Sequence, residues 1–268
     1  MNKRELIEAF EQMGFHARTR MGQNFLTDGN LAQKLVDLSR IEEGQPVLEI
    51  GPGMGMITRK ILDAGGKLTA VELDAKLATH VRQTFGKQVK LVEGDAVDFP
   101  AGAIQEFDQL AVVANPPFAI TGPWLAKLLD LGFPKIMGLL LQKEAVERIN
   151  ASSGSKKYGP LSMRIEAAYR QIAQHPVPPA SFFPPPTIDS QMVVFERLEE
   201  PKRFSTEFLK LVQELFTQRR KQVGGMLKKR LTEEQLSQWE QVLKGNKLSF
   251  QSRPEQIPTS VWIELSES

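Results

Sequence analysis

The spacing of apolar positions changes twice along the chain. Leu6, Ile7, Phe10 and Met13 recur at helical intervals, and Leu31, Leu35, Val36 and Leu38 repeat the pattern behind Asp28, a residue type that caps helix starts. Two short helices are therefore predicted on either side of the QNFL stretch at 23–26. From Pro46 the pattern becomes short apolar runs separated by helical stretches: VLEI at 47–50, KLTAVEL at 67–73, VKLVEG at 89–94, LAVVAN at 110–115 and IMGLLLQ at 136–142. That alternation predicts an α/β, doubly wound, mostly parallel Rossmann-like sheet with crossover helices. Tyr169 opens a further strand, a proline-rich loop runs through Pro186, and another strand follows near 191–197, which together predict a hairpin closing the sheet edge. Beyond Pro201 the period is helical again. Phe204, Phe208, Leu211, Val212, Leu215, Phe216, Val223, Met226 and Leu227 share one arc at 100° per residue. Gly224 and Gly225 predict a bend or an end in that helix, and Thr232 with Gln235 reads as a capping box opening the next. The expected division is residues 1–200 as the sheet domain and 201–268 as a small all-helical domain.

The chemistry gathers where the strands end. Gly51, Gly53 and Gly55 follow the first long strand in a G-x-G-x-G turn, and glycines let a backbone approach a ligand closely. Gly51, Glu72, Asp95 and Asn115 each fall just after a predicted strand, about one strand-plus-helix period apart. All four should meet at the carboxyl edge of one sheet, where open α/β sheets bind ligands. A carboxylate in the position of Glu72 can accept hydrogen bonds from both hydroxyls of a ribose, and Asp95 can hold an adenine amino group. A nicotinamide dinucleotide or S-adenosylmethionine would satisfy these features. Met56 stands where a dinucleotide fingerprint would place its third glycine, which favours S-adenosylmethionine.

The NPPF segment at 115–118 decides between them. The lone pair of adenine N6 is delocalised into its ring, so methylation requires that nitrogen to become more tetrahedral. A side-chain carbonyl from Asn115 and a backbone carbonyl from Pro116 would accept its two N–H bonds and favour that change. Phe118 offers a ring face for the base. No strong base is required, because the methylated amine is acidic while it is positively charged.

The chain resembles the ribosomal RNA adenine N6-dimethyltransferases of the small subunit, the KsgA type. The resemblance rests on QNFL at 23–26, VLEIGPGMG at 47–55, VELD at 71–74, GDA at 94–96, the Asn115 motif, LQKEAV at 141–146, YGPLS at 158–162, FFPPPTIDS at 182–190 and the segment 216–221. It implies dimethylation of two adjacent adenines in the 3′-terminal hairpin of small-subunit rRNA, with that rRNA or a pre-30S particle as partner. By the same resemblance, Asn24, Leu26, Gly51, Glu72, Asp95 and Asn115 would contact S-adenosylmethionine, and Phe118 and Phe182 would position the flipped adenine. The family usually carries Leu or Ile, then Pro, then Tyr after its Asn. Here Pro116, Pro117 and Phe118 stand instead, as in DNA adenine and glutamine-amide methyltransferases. Two other readings remain: the related antibiotic-resistance type acting on large-subunit rRNA, and a catalytically silent assembly or transcription factor. Retention of Gly51, Glu72, Asp95 and Asn115 argues against the silent form.

Charge adds a division that the whole-chain value of +2 conceals. Residues 201–268 carry 12 Lys+Arg against 8 Asp+Glu, whereas residues 1–200 carry 22 against 24. Arg219, Arg220 and Lys221 are therefore expected among the RNA contacts, since phosphate contacts supply affinity while a pocket selects the base. Arg219, however, projects inside the apolar arc of its helix, and a charge there needs a partner; the expectation is that it points at the sheet domain and fixes the interdomain angle. The absence of cysteine excludes disulfides, thiol nucleophiles and Cys-type metal sites, and His16, His80 and His175 are too scattered for a metal motif. The amino terminus lacks the apolar core of a signal peptide. The longest uncharged runs, 109–126 and 171–188, are broken by prolines and cannot be continuous membrane helices. A cytoplasmic monomer without metal is expected.

Overall fold

The computed structural model describes residues 3–17 and 23–268. Seven strands form the main sheet: β2 (Pro46–Ile50), β3 (Lys67–Glu72), β4 (Val89–Glu93), β5 (Ala111–Ala114), β6 (Ile136–Gln142), β7 (Tyr169–Val177) and β9 (Ser190–Arg197). Their order across the sheet is β4-β3-β2-β5-β6-β9-β7. The pairs β2·β3, β2·β5, β3·β4 and β5·β6 are parallel, and β9 runs antiparallel to β6. The central strands are apolar on both faces, as the burial of Ala111, Val112, Val113 and Ala114 shows, because crossover helices cover a parallel sheet on both sides. The covering helices are α2 (Gly29–Leu38), which precedes the sheet, and the crossover helices α3 (Met56–Asp63), α4 (Ala75–Phe85) and α5 (Thr121–Leu131); α6 (Lys143–Ile149) follows β6 directly. Asp28 caps α2 by accepting from the amides of Asn30 and Leu31, at 2.9 and 3.2 Å. Asp74 likewise caps α4 from the end of β3.

Two features of the first 200 residues lie outside what periodicity predicts. Phe25 and Leu26 form a short strand, β1 (Phe25–Leu26), paired antiparallel with β8 (Phe182–Phe183) from the proline-rich loop. Leu26 and Phe182 turn into the main core, while Phe25 and Phe183 join Phe10, Phe15, Met54 and Leu77 in a separate apolar cluster under α1 (Lys3–Met13). A two-residue strand carries no alternation that could reveal it.

The chain divides into two compact units, Met1–Val146 with Gln171–Arg197, and Glu147–Arg170 with Leu198–Ser268. The second unit thus joins 198–268 to 147–170, a segment that a single boundary at Pro201 would leave with the sheet. Its core gathers Tyr158, Met163 and Ala167 with Phe208, Val212, Leu215, Trp239 and Trp262. Tyr158, Thr259 and Glu166 form a hydrogen-bond chain at 2.8 and 2.6 Å, buried at Tyr158 and Thr259, which ties the two segments together. The helices are α7 (Pro160–Ala168), α8 (Thr206–Thr217), α9 (Val223–Leu227), α10 (Glu233–Gly245) and α11 (Thr259–Glu267). The expected capping box is present: Gln235 N–H donates to the Thr232 hydroxyl and Thr232 N–H to the Gln235 side chain. The bend or helix end expected at Gly224 and Gly225 falls just before them, since α9 starts at Val223. The break lies earlier, at 218–222, and both glycines sit inside α9. Packing explains Gly224, since a Cβ there would stand 2.6 Å from that of Phe250, whose carbonyl takes the Gly224 amide.

Arg219 also departs from expectation. Its guanidinium donates to the carbonyls of Lys156 (2.6 Å), Ser155 (3.4 Å) and Tyr158 (3.5 Å) and lies 3.9 Å from the Glu255 carboxylate, all within its own unit. The charge inside the apolar arc is matched by loop carbonyls, so neither an interdomain strut nor an RNA contact is needed to account for it. Arg220 and Lys221 are exposed. Arg219→Ala is expected to lower the opening free energy of 155–158 by about 1 kcal/mol, since part of the side chain is solvated, and so to speed amide exchange there roughly fivefold. Arg219→Lys should recover little of it, because an ammonium lacks the planar fork of donors. Hydrogen exchange followed by mass spectrometry checks both, with residues 47–50 as the unaffected reference.

Candidate active site

The parallel sheet aligns the ends of its strands. Gly51 N–H donates to Val71 O and Gly94 N–H to Glu72 O, both at 2.9 Å, which continues the pairing one residue past β2 and β4. Gly51, Glu72, Asp95 and Asn115 therefore emerge along one edge. A pocket opens there, walled by Asn24, Phe25, Leu26, Glu49, Gly51, Gly53, Met54, Glu72, Asn115, Pro116 and Pro117, among others. Five of the six expected cofactor contacts line it. Asp95 does not; one of its carboxylate oxygens takes the Val97 amide at 2.8 Å and organises the turn after β4.

The amide of Asn115 is oriented. Its Nδ2 donates to the Asn24 carbonyl at 3.0 Å, and the reversed orientation would bring two carbonyl oxygens together at that distance. Its Oδ1 is buried and has no hydrogen-bond partner among the described residues. A buried acceptor without a donor is rare enough in folded proteins to mark a functional position. The backbone at Pro116 is arranged similarly: Pro117 O takes the Ile120 amide at 3.1 Å, whereas no donor among the described residues takes Pro116 O. Phe118 is half-buried in the single 3₁₀ turn Phe118–Ile120 that follows.

Two carboxylates are buried beside the glycine turn. Glu72 accepts from the Gly53 amide at 3.2 Å on one oxygen and from the Asp74 amide at 3.0 Å on the other, which leaves each oxygen a lone pair for a further donor. Burial still pushes its pKa up. Glu49, at the end of β2, is fully enclosed and takes the Thr58 hydroxyl at 2.6 Å. Burial, helped by the neighbouring Glu72 charge, raises it from 4.5 to about 8 against the opposing pull of Thr58. Sequence reasoning gave Glu49 no role, although a lone charge in the apolar run VLEI was a legible signal.

Phe182 requires a correction. It is 1% exposed and packs within the main core, so its ring has no face to offer a base; it anchors the β1·β8 pair instead. Phe25 was also overlooked. It lines the pocket and presses on the glycine turn so closely that a Cβ on Gly53 would stand 2.9 Å from its ring.

The raised Glu49 pKa has a sign that can be measured. Folded Glu49 keeps its proton to about pH 8 while the unfolded residue loses it near 4.5, so this residue makes stability fall as pH rises between those values. Glu49→Gln keeps an acceptor for Thr58 and removes the titration. The wild type is expected to lose stability from pH 5 to 8 more steeply than Glu49→Gln in urea melts, and parallel profiles would contradict the burial argument.

The family model and the curated relatives that this chain matches in sequence agree on one family. The family model for ribosomal RNA adenine dimethylase matches residues 14–262. A ribosomal RNA small subunit methyltransferase A from Opitutus terrae is 39% identical over 264 residues, covering 96% of this chain and 95% of that protein. The protein of the same name from Lactobacillus delbrueckii subsp. bulgaricus is 36% identical, with 94% and 90% coverage. Among solved structures, a dimethyladenosine transferase from Plasmodium falciparum superposes with a TM-score of 0.69 at 23% identity, covering 90% and 95% of the two chains. The 23S rRNA methyltransferase ErmE gives 0.63 at 20% identity, covering 91% and 98%; at such identities these two likenesses speak for the fold alone. The match over nearly the whole length places this chain in the ribosomal RNA adenine dimethylase family.

Proposed function

We propose that the protein transfers methyl groups to N6 of two adjacent adenines in the 3′-terminal hairpin of small-subunit rRNA, acting as a cytoplasmic monomer on the rRNA or a pre-30S particle. The observation that carries the site chemistry is the buried Asn115 Oδ1, left without a donor among the described residues, on a pocket-lining residue whose Nδ2 is bound to Asn24. S-adenosylmethionine, when bound, supplies the electrophilic methyl group. The donor set suits such a group: Glu72 has lone pairs for ribose hydroxyls, Gly51 and Gly53 bring backbone close, and Leu26 and Met54 give apolar wall.

Asn115 Oδ1 and Pro116 O accept the two N–H bonds of the target amine, drawing its nitrogen out of conjugation toward a tetrahedral geometry. Fixing these acceptors in advance removes the cost of aligning them during transfer. Phe118 provides a partly exposed ring against which an extruded base stacks. The proton leaves the cationic product to water. Residues 201–268, with their excess of Lys and Arg, supply phosphate contacts through exposed side chains such as Arg220 and Lys221.

Incubation with radiolabelled cofactor and undermethylated small subunits, large-subunit rRNA or DNA, followed by primer extension, tests the assignment. Label on adenines of the small-subunit 3′ hairpin is expected, and label confined to the other substrates refutes it. Asn115→Ala should lower kcat by about 10²–10³-fold, the cost of removing one preorganised partner of the reacting group. Glu72→Ala should instead act chiefly on the KM for the cofactor.

A further inference from the structure

The helix α1 ends in a way that carries order into the active site. Gly14, at φ +56°, donates its amide to Glu11 O at 3.0 Å, and Phe15 donates to Phe10 O at 2.8 Å. This paired closure turns the residue after a helix back onto its last turn. The rings of Phe15 and Phe10 accordingly lie 4.9 Å apart. No basic residue occupies the last turn of α1, and the carbonyls left over there are taken by Lys76 of α4, whose Nζ donates to Gly14 O at 2.6 Å and Met13 O at 3.3 Å. A cation at a helix carboxyl end is favourable against the helix dipole.

Both buried rings bear on Phe25, with centroids at 5.0 Å from Phe10 and 5.8 Å from Phe15, in edge-to-face arrangements. Phe25 is trapped between them and Gly53, and its neighbour Asn24 carries the carbonyl that orients Asn115. A displaced Phe25 moves that carbonyl, and a carbonyl out of range frees the amide to rotate.

We propose that Phe10 and Phe15, pinned by Lys76, are positioning residues for methyl transfer, acting through Phe25 and the Asn24 carbonyl on the amide of Asn115. The proposal rests on Asn115 being the acceptor for the target amine. Its mark is a fall in kcat without a matching change in RNA binding, accompanied by a change at an amide that neither ring touches.

The test combines steady-state kinetics on small subunits with NMR of the Asn115 side-chain amide in ¹⁵N-Asn-labelled protein, the signal being assigned by its loss in Asn115→Ala. Phe15→Ala is expected to lower kcat about tenfold, as a misplaced reacting partner does, to leave the KM for RNA within about twofold, and to shift or broaden the Asn115 signal. Phe15→Leu, which refills the space, should restore most of both. Lys76→Ala, at an exposed position, should shift the same signal in the same direction by a smaller amount. An unchanged kcat in Phe15→Ala overturns the proposal, as does a lowered kcat with an unmoved Asn115 signal. If Phe15→Ala does not fold, Lys76→Ala decides alone, and wild-type kcat with a wild-type signal overturns it. Failure of the underlying reading looks different, because Asn115→Ala would then be as active as the wild type.

Discussion

A primary amide has two ends of nearly equal size and opposite hydrogen-bonding character, so its usefulness depends on something outside it choosing which end faces the reaction. Here that choice is made by one bond, from Asn115 Nδ2 to the Asn24 carbonyl. Much of the sheet unit bears on that bond. Asn115 is placed by β5, buried on both faces at the centre of the sheet. Asn24 is placed by the β1·β8 ribbon, with the Thr27 amide and hydroxyl both bound to Ser181 O at 2.8 and 3.0 Å. The ribbon is in turn nailed to the core by Leu26 and Phe182. In the proposed reaction Phe182 thus serves by being buried, the reverse of the stacking role that the family resemblance implies.

The same pocket carries two carboxylates in surroundings that penalise charge. Desolvation raises the cost of the ionised form, and only donors reaching the oxygens reduce it. Glu72 receives backbone amides from the glycine turn and from the start of α4, so its position is tied to the two loops that shape the pocket. Glu49 has Thr58 from α3, which joins the strand before the glycine turn to the helix after it. These groups hold the loop's geometry in a way that apolar contacts could not, because a hydrogen bond fixes direction as well as distance.

The sheet was legible because its physics repeats. Each of VLEI, KLTAVEL, VKLVEG, LAVVAN and IMGLLLQ is long enough to show its period, and regular spacing then locates Gly51, Glu72 and Asn115 at one edge. What escaped notice is what does not repeat. The β1·β8 pair joins residues more than 150 positions apart through two residues each, below the length at which alternation can be seen. Arg219 was recognisable as a charge in an apolar arc, but its partners are backbone carbonyls, which every residue possesses and no sequence distinguishes. The break after Thr217 was hidden because the apolar arc resumes in phase at Val223, and the glycines, a stronger local signal, answer to the close approach of Phe250.

The division of the chain follows the same logic. A boundary drawn from composition must be a single point, since composition varies along the sequence and packing does not. Residues 147–170 run in the sequence from the end of β6 to the start of β7, two strands of the main sheet, yet they pack with 198–268. Their membership is decided by contacts that only folding creates: Tyr158 to Thr259, Thr259 to Glu166, and the Arg219 fork on 155–158. YGPLS at 158–162 therefore has a structural account independent of any substrate. Tyr158 is enclosed with its hydroxyl bonded, and Ser162 closes on the Gly159 amide and the Arg148 carbonyl at 3.0 and 2.9 Å. What these residues accomplish in the fold is the joining of two distant segments into one core.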